Sequence, residues 1–251
     1  MVTTPIAQAY AKKRRADKNI GELKKAISAF SRAHPPEIIT HKLPNGALGI
    51  QFKTPEEPVS DDIQLILGDA IHNLRSSLDL MMVECFLSMG KGTSGVRFPF
   101  AQDTTQLEAI IKKDLAHGGQ PICDLIRAMK PYKGGNIALR GLHDLDVSDK
   151  HKMLIPVLRQ GLYHQVEFVI KINEKVAMRI KNGKILKDKT NPTTKIHSME
   201  TTAVLPNNYE GTAILFADSM PFAGEPVLNT LESLCQEVDR ILKAFEKLVR
   251  R

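Results

Sequence analysis

Two stretches of the chain concentrate the groups that could do chemistry. The run from Gly68 to Asp79 holds Asp69, His72, Asn73, Arg75 and Asp79. The run from His143 to His151 holds His143, Asp144, Asp146, Lys150 and His151, with Asp149 among them. In the first run Asp69, His72, Ser76 and Asp79 recur at three- and four-residue steps, so a helix lines them up along one stripe with Arg75 beside it. Acids, imidazoles and cations placed this way can form an ion-pair network that holds two helices in register, or hold a small anion against Arg75. A buried Arg75 without a carboxylate costs several kcal/mol. Its expected partner is Asp79, four residues on, or an acid of the second run. If the two helices are neighbours, these residues form one polar centre.

A second reading of the same residues is a metal-dependent hydrolase or nuclease. His72, His143, Asp146 and His151 are the candidate ligands, and imidazole with carboxylate suits zinc, manganese or iron. Their spacing matches no standard ligand pair such as His-Glu-x-x-His. His143-Asp144 with His117 upstream also has the parts of an HD-type phosphohydrolase. The further acid would then be Asp188 or Asp218, in a region that reads as β rather than helix. Ser76 and Ser77 lie mid-helix with no Gly-x-Ser-x-Gly elbow, so the pattern gives no strained nucleophile. Catalytic residues stay unassigned and no cofactor is implied.

Gly90-Lys-Gly-Thr-Ser-Gly95 matches the three-glycine dinucleotide pattern letter for letter. That pattern needs a strand before it and a helix after it. Here a helix precedes it, so a turn is expected.

The central element is a helix from about Ser60 to Met89, with Ile63, Leu67, Ile71, Leu74, Leu78 and Met81 as its apolar stripe. A first helix runs from about Thr4 to Ala33 and stops at Pro35-Pro36. Shorter helices are expected over Thr104–Leu115, capped near Asp103, and over Ile122–Met129. Another begins near Asn136, with a restart at Ser148 or Asp149 after a kink. Pro226 opens a C-terminal helix to Val249, with Leu228, Leu231, Cys235, Val238, Leu242, Phe245 and Val249 on one face. Pro44-Asn45-Gly46 predicts a hairpin over residues 37–53. After Pro156 the apolar period changes to two, which predicts about four antiparallel strands over residues 163–220.

The expected fold class is therefore α+β in a single domain, residues 1–251. A mainly helical part, residues 1–160, carries the hairpin. An antiparallel β part follows, and the C-terminal helix, residues 226–251, packs on the helical core.

At 251 residues and 42% hydrophobic the chain can bury a proper core, and it carries no apolar run long enough for a membrane span. No signal-peptide pattern opens it, and its three cysteines are an odd number, far apart in apolar patterns, so a reducing cytoplasm is the expected location. The net charge of +7 gathers near the N-terminus. There Lys12, Lys13, Arg14, Arg15 and Lys18 could attract nucleic acid. Few aromatics are interleaved, so no base-stacking platform is indicated. A helical face could also serve a homo-oligomer.

The paired patterns Gly68-Asp69-x-x-His72-Asn73-Leu74-Arg75-x-x-Leu78-Asp79 and Leu142-His143-x-Leu145-Asp146-x-x-Asp149-Lys150-His151-Lys152, with Phe98-Pro99 between them, resemble a family of bacterial proteins of no assigned function. The resemblance covers most of the chain. It implies helices flanking a β region and no known activity. A more distant likeness is to the helical HEPN nucleases and nucleic-acid binders, whose signature is an Arg followed four to six residues later by a His. This chain departs from it: no His follows Arg75 within reach, and His143 lies too close to Arg140.

Overall fold

The computed structural model describes residues 4–35, 37–42, 48–53, 58–152, 157–161, 167–172, 175–181, 184–186, 201–204 and 212–250, with side chains for 4–35, 58–149 and 214–250. Six helices appear in order: α1 (Ala7–Ala33), α2 (Asp61–Ser88), α3 (Thr104–Ile110), α4 (Gln120–Met129), α5 (Ile137–Lys152) and α6 (Val227–Val249). A π-helical turn, Ile111–Leu115, continues α3.

The chain divides into two units. The first comprises residues 1–24, 61–157 and 216–251, the second residues 25–60 and 158–215.

The α+β expectation is overturned. Over the residues with described side chains the fold is all-helical: six helices, 72% helical content, one lone strand and no sheet. The physical reason lies in how the helices satisfy one another. α2 packs on both α5 and α6, and α5 and α4 also pack on α6. Ile63, Leu67, Ile71, Leu74, Leu78 and Met81 of α2 are all buried. So are Leu139, Leu142 and Leu145 of α5, and Leu231, Leu234, Val238, Ile241, Leu242 and Phe245 of α6. Each such side chain stabilises the fold by about 1.5–3 kcal/mol. The lone strand is the end of Thr212–Phe216, and Phe216 is fully buried.

The backbone of most of the period-two stretch belongs to the second unit. There extended segments at residues 167–172, 175–181, 184–186 and 201–204 run antiparallel. In the same unit Glu37–Lys42 pairs with Leu48–Lys53. The hairpin turn at Pro44-Asn45-Gly46 lies outside the described residues, as does the turn at Asn182-Gly183.

The helix ends follow local chemistry. Asp61 and Asp62 occupy the first turn of α2, where the positive end of the helix dipole favours anions. Its far end closes on Gly90, which adopts φ +68°. The Lys91 N–H donates to Phe86 O at 2.9 Å and the Gly90 N–H to Leu87 O at 2.9 Å, the Schellman arrangement that calls for a left-handed residue. The first glycine of the dinucleotide-like pattern is thus a helix stop. Asp103 caps α3 by accepting from the Gln106 N–H at 2.8 Å. Glu84 of α2 accepts from the first turn of α1, from Gln8 N–H and Ala9 N–H, both at 2.9 Å. α5 runs through Ser148 and Asp149 as one helix, with no break where a kink was expected.

Candidate functional site

α2 and α5 meet in antiparallel register, and their polar residues form a ladder. At one end Gly68 gives the space its side chain would fill to the carboxylate of Asp149. One turn on, His72 Nδ1 lies 3.0 Å from Asp146 Oδ1. Asp146 is almost fully buried while the His72 ring is half exposed. His72 Nε2 in turn lies 3.3 Å from Ser76 Oγ, four residues along α2.

The next rung passes through the segment after α2. The Arg75 guanidinium sits over the Phe100 ring, 4.3 Å from its centroid. His143 stacks on that same ring, with centroids 4.6 Å apart and planes within 10°. The segment is tied down from both helices. Asp79 Oδ1 accepts from the Phe98 N–H at 2.9 Å, and Arg140 Nη1 donates to Ala101 O at 3.0 Å. Phe98-Pro99 is therefore the strap that carries Phe100 into the centre.

Arg75 pairs with Asp79, with Nη1 2.6 Å from Oδ2. Although the charges are close, neither Nη1 nor Nε of Arg75 has an aligned hydrogen-bond acceptor. His143 Nδ1 is also buried without a hydrogen-bond partner. Burial, with the Arg75 and Arg140 charges added to it, holds the His143 imidazole below its ordinary pKa of 6.5. Arg140 is the satisfied counterpart: it grips Asp144 with two parallel bonds, Nη2–Oδ1 at 2.6 Å and Nε–Oδ2 at 3.0 Å.

The remaining candidates lie around this centre. Asn73 is buried, donates to Asp69 O at 2.7 Å and accepts from Lys12 Nζ at 3.2 Å. The Asp69 side chain is exposed. Lys150 and His151 belong to the last turn of α5, and their side chains lie outside the described residues. The proposed metal ligands His72, His143 and Asp146 divide between two rungs. His72 and Asp146 meet each other, while His143 faces Phe100. Among the described residues no group of three His, Cys, Asp or Glu could hold a metal ion.

The basic stretch of α1 is partly engaged. Lys12 reaches Asn73, Lys13 pairs with Asp17 at 2.9 Å, and Lys18 with Glu22 at 3.7 Å, while Arg14 and Arg15 are exposed.

One member of the site carries no spacing signal. Phe100 is the ring both halves share, and the sequence marks only the Phe-Pro pair before it. Ser76 shares the stripe of His72 by spacing, and it completes a three-residue chain with His72 and Asp146. No helix among the described residues is long and apolar enough to cross a membrane. No protein family, curated protein or solved structure matches this chain.

Proposed function

We propose that this chain is a binding protein of a reducing compartment, the cytoplasm, whose α2–α5 centre takes a small anion. One observation carries the reading. Arg75 Nε and His143 Nδ1 are buried around a shared aromatic ring with no hydrogen-bond partner, while Arg75 Nη1 lies 2.6 Å from Asp79 Oδ2. Each buried orphan costs about 1–3 kcal/mol, and a charged one more. A carboxylate or phosphate oxygen would accept from Arg75 Nε. Phe100, His143 and Asp79 around it are half-buried. The location in a reducing compartment is supported by Cys85, Cys123 and Cys235, which are all free thiols.

Titration calorimetry of the full chain with inorganic phosphate, and separately with acetate, tests the reading. Saturable heat is expected for at least one of the two, lost in Arg75→Met and weakened in His143→Phe. No saturable binding of either ion, with identical traces for Arg75→Met and the parent chain, defeats it.

A further inference from the structure

The geometry points to a nucleophilic acyl-transfer site at Ser76, with His72 as its general base and Asp146 as the residue that positions the base. The three side chains connect in the order that the chemistry requires. Asp146 Oδ1 holds His72 Nδ1 at 3.0 Å, and His72 Nε2 faces Ser76 Oγ at 3.3 Å. An acid on Nδ1 sets the tautomer in which Nδ1 carries the proton and Nε2 is free to accept one. The Ser76 hydroxyl faces that nitrogen as a proton donor, which is the pairing of an activated serine. The burial pattern suits the roles: the Asp146 side chain is 4% exposed, while His72 is 46% exposed and Ser76 half-buried. The orienting acid is thus out of water and the nucleophile faces it. The arrangement spans two helices, so it exists only while α2 and α5 are docked.

The step balances without any further reagent. Ser76 Oγ attacks an ester carbonyl carbon, and its proton passes to His72 Nε2. The carbon–oxygen bond to the leaving group breaks, the alcohol leaves with the proton from His72, and the acyl group stays on Ser76. Water then attacks the acyl-serine with His72 again taking a proton, which releases the carboxylic acid and restores the hydroxyl.

The surroundings narrow the substrate. Ser76 lies inside α2, where the backbone N–H groups are committed to the helix, so α2 itself offers no backbone donor for an oxyanion hole. That favours esters with good leaving groups over amides. Leu80, one turn further along α2, and Val83 after it are half-buried on the same side, so a short apolar acyl chain has a surface to lie on.

The test uses the full chain with p-nitrophenyl butyrate. Release of p-nitrophenolate is expected to fall about 100-fold in Ser76→Ala and by a similar factor in His72→Gln, the scale of general-base assistance. Mass spectrometry of the quenched parent protein should find the butyryl group on the peptide bearing Ser76. Asp146→Asn should lower the acylation rate while leaving Ser76 in place; if that variant fails to fold, His72→Gln decides. Equal release by the parent chain and Ser76→Ala, or butyryl found on other residues alone, overturns the proposal.

Discussion

Gly68 of α2 and Asp149 of α5 occupy one another's space: a Cβ added at Gly68 would stand 2.9 Å from Asp149 Cγ and closer still to Oδ1. In a mid-helix position Ala normally stabilises relative to Gly by about 0.5–1 kcal/mol. At Gly68 the carboxylate has to give way, so Gly68→Ala is expected to destabilise the chain by about 1 kcal/mol or more. Gly21 of α1 is the control, with nothing within 4 Å of an added Cβ. Gly21→Ala should raise the melting temperature and Gly68→Ala should lower it. Adding Asp149→Ala to Gly68→Ala should recover part of the loss, a non-additivity that thermal denaturation of the four chains would show.

Asp79 serves two partners, the Arg75 guanidinium and the Phe98 N–H. Asp79→Asn retains an oxygen acceptor and loses the charge; Asp79→Ala loses both. Expected costs are about 1 kcal/mol for the first and about 2–3 kcal/mol for the second, the difference being the orphaned amide and arginine. Urea unfolding curves separate them. Equal midpoints would show that the strap does not depend on this carboxylate.

His143 gives a pH dependence whose sign follows from its depressed pKa. The folded chain binds this proton less readily than the unfolded chain. The stability contributed by the neutral imidazole is full above the unfolded value near 6.5 and is lost as pH falls from there through the depressed folded value. His143→Phe should flatten that part of the stability profile. An unchanged profile between pH 7 and 5 would remove His143 as its source.

Glu84 is the acceptor for the first turn of α1, and it belongs to a different helix. Glu84→Ala should cost about 1–2 kcal/mol through loss of the cap and of a favourable charge at the helix N-terminus. Glu84→Gln keeps one acceptor oxygen and should fall between the two. Amide exchange at Gln8 and Ala9 reads the cap directly and should quicken in both variants.

The thiols should be slow to react while the chain is folded. Burial pushes Cys85 up to about 12, and burial with the Asp17 carboxylate, 2.9 Å from its Sγ, does the same for Cys235. Little thiolate is therefore present at neutral pH. Iodoacetamide at pH 8 should leave both unmodified in the native chain and alkylate them in denaturant. Rapid native labelling of Cys85 would contradict its burial.

Helices were legible wherever an apolar stripe was long. α2 and α6 start and end within a residue or so of the positions their stripes indicated. The kink expected at Ser148 is absent because local side-chain chemistry competes weakly with an uninterrupted helix docked on α2 and α6. The fold class went wrong for a related reason. Alternation after Pro156 speaks of strand backbone, but it says nothing about whether that segment belongs to the same compact unit as the helices. Helices already buried against one another need no sheet.

The site was legible by residue type and not by pairing. Spacing along α2 placed Asp69, His72, Ser76 and Asp79 on one stripe with Arg75 beside it, and residue type alone marked the run from His143 to His151. Which of them touch depends on the register between helices, which neither run encodes alone. Phe100 was invisible because its part is played through a ring face, and a lone Phe in a loop carries no spacing signal. Spacing put Ser76 on the stripe of His72, but its hydroxyl gains meaning only from an acid on another helix.

The rungs joining α2 to α5 fall at Gly68, His72, Arg75 and Asp79 on one side and at Asp149, Asp146, His143 and Arg140 on the other. Each residue added to a helix turns everything beyond it by roughly 100°. A single alanine inserted between Arg75 and Asp79 would leave every charge intact, yet swing Asp79 away from the strap while His72 kept its partner. Such a chain would tolerate many replacements at these positions better than one extra residue between them. In chains descended from the same ancestor, insertions and deletions should therefore collect outside residues 68–79 and 140–149, even where the amino acids inside them have drifted.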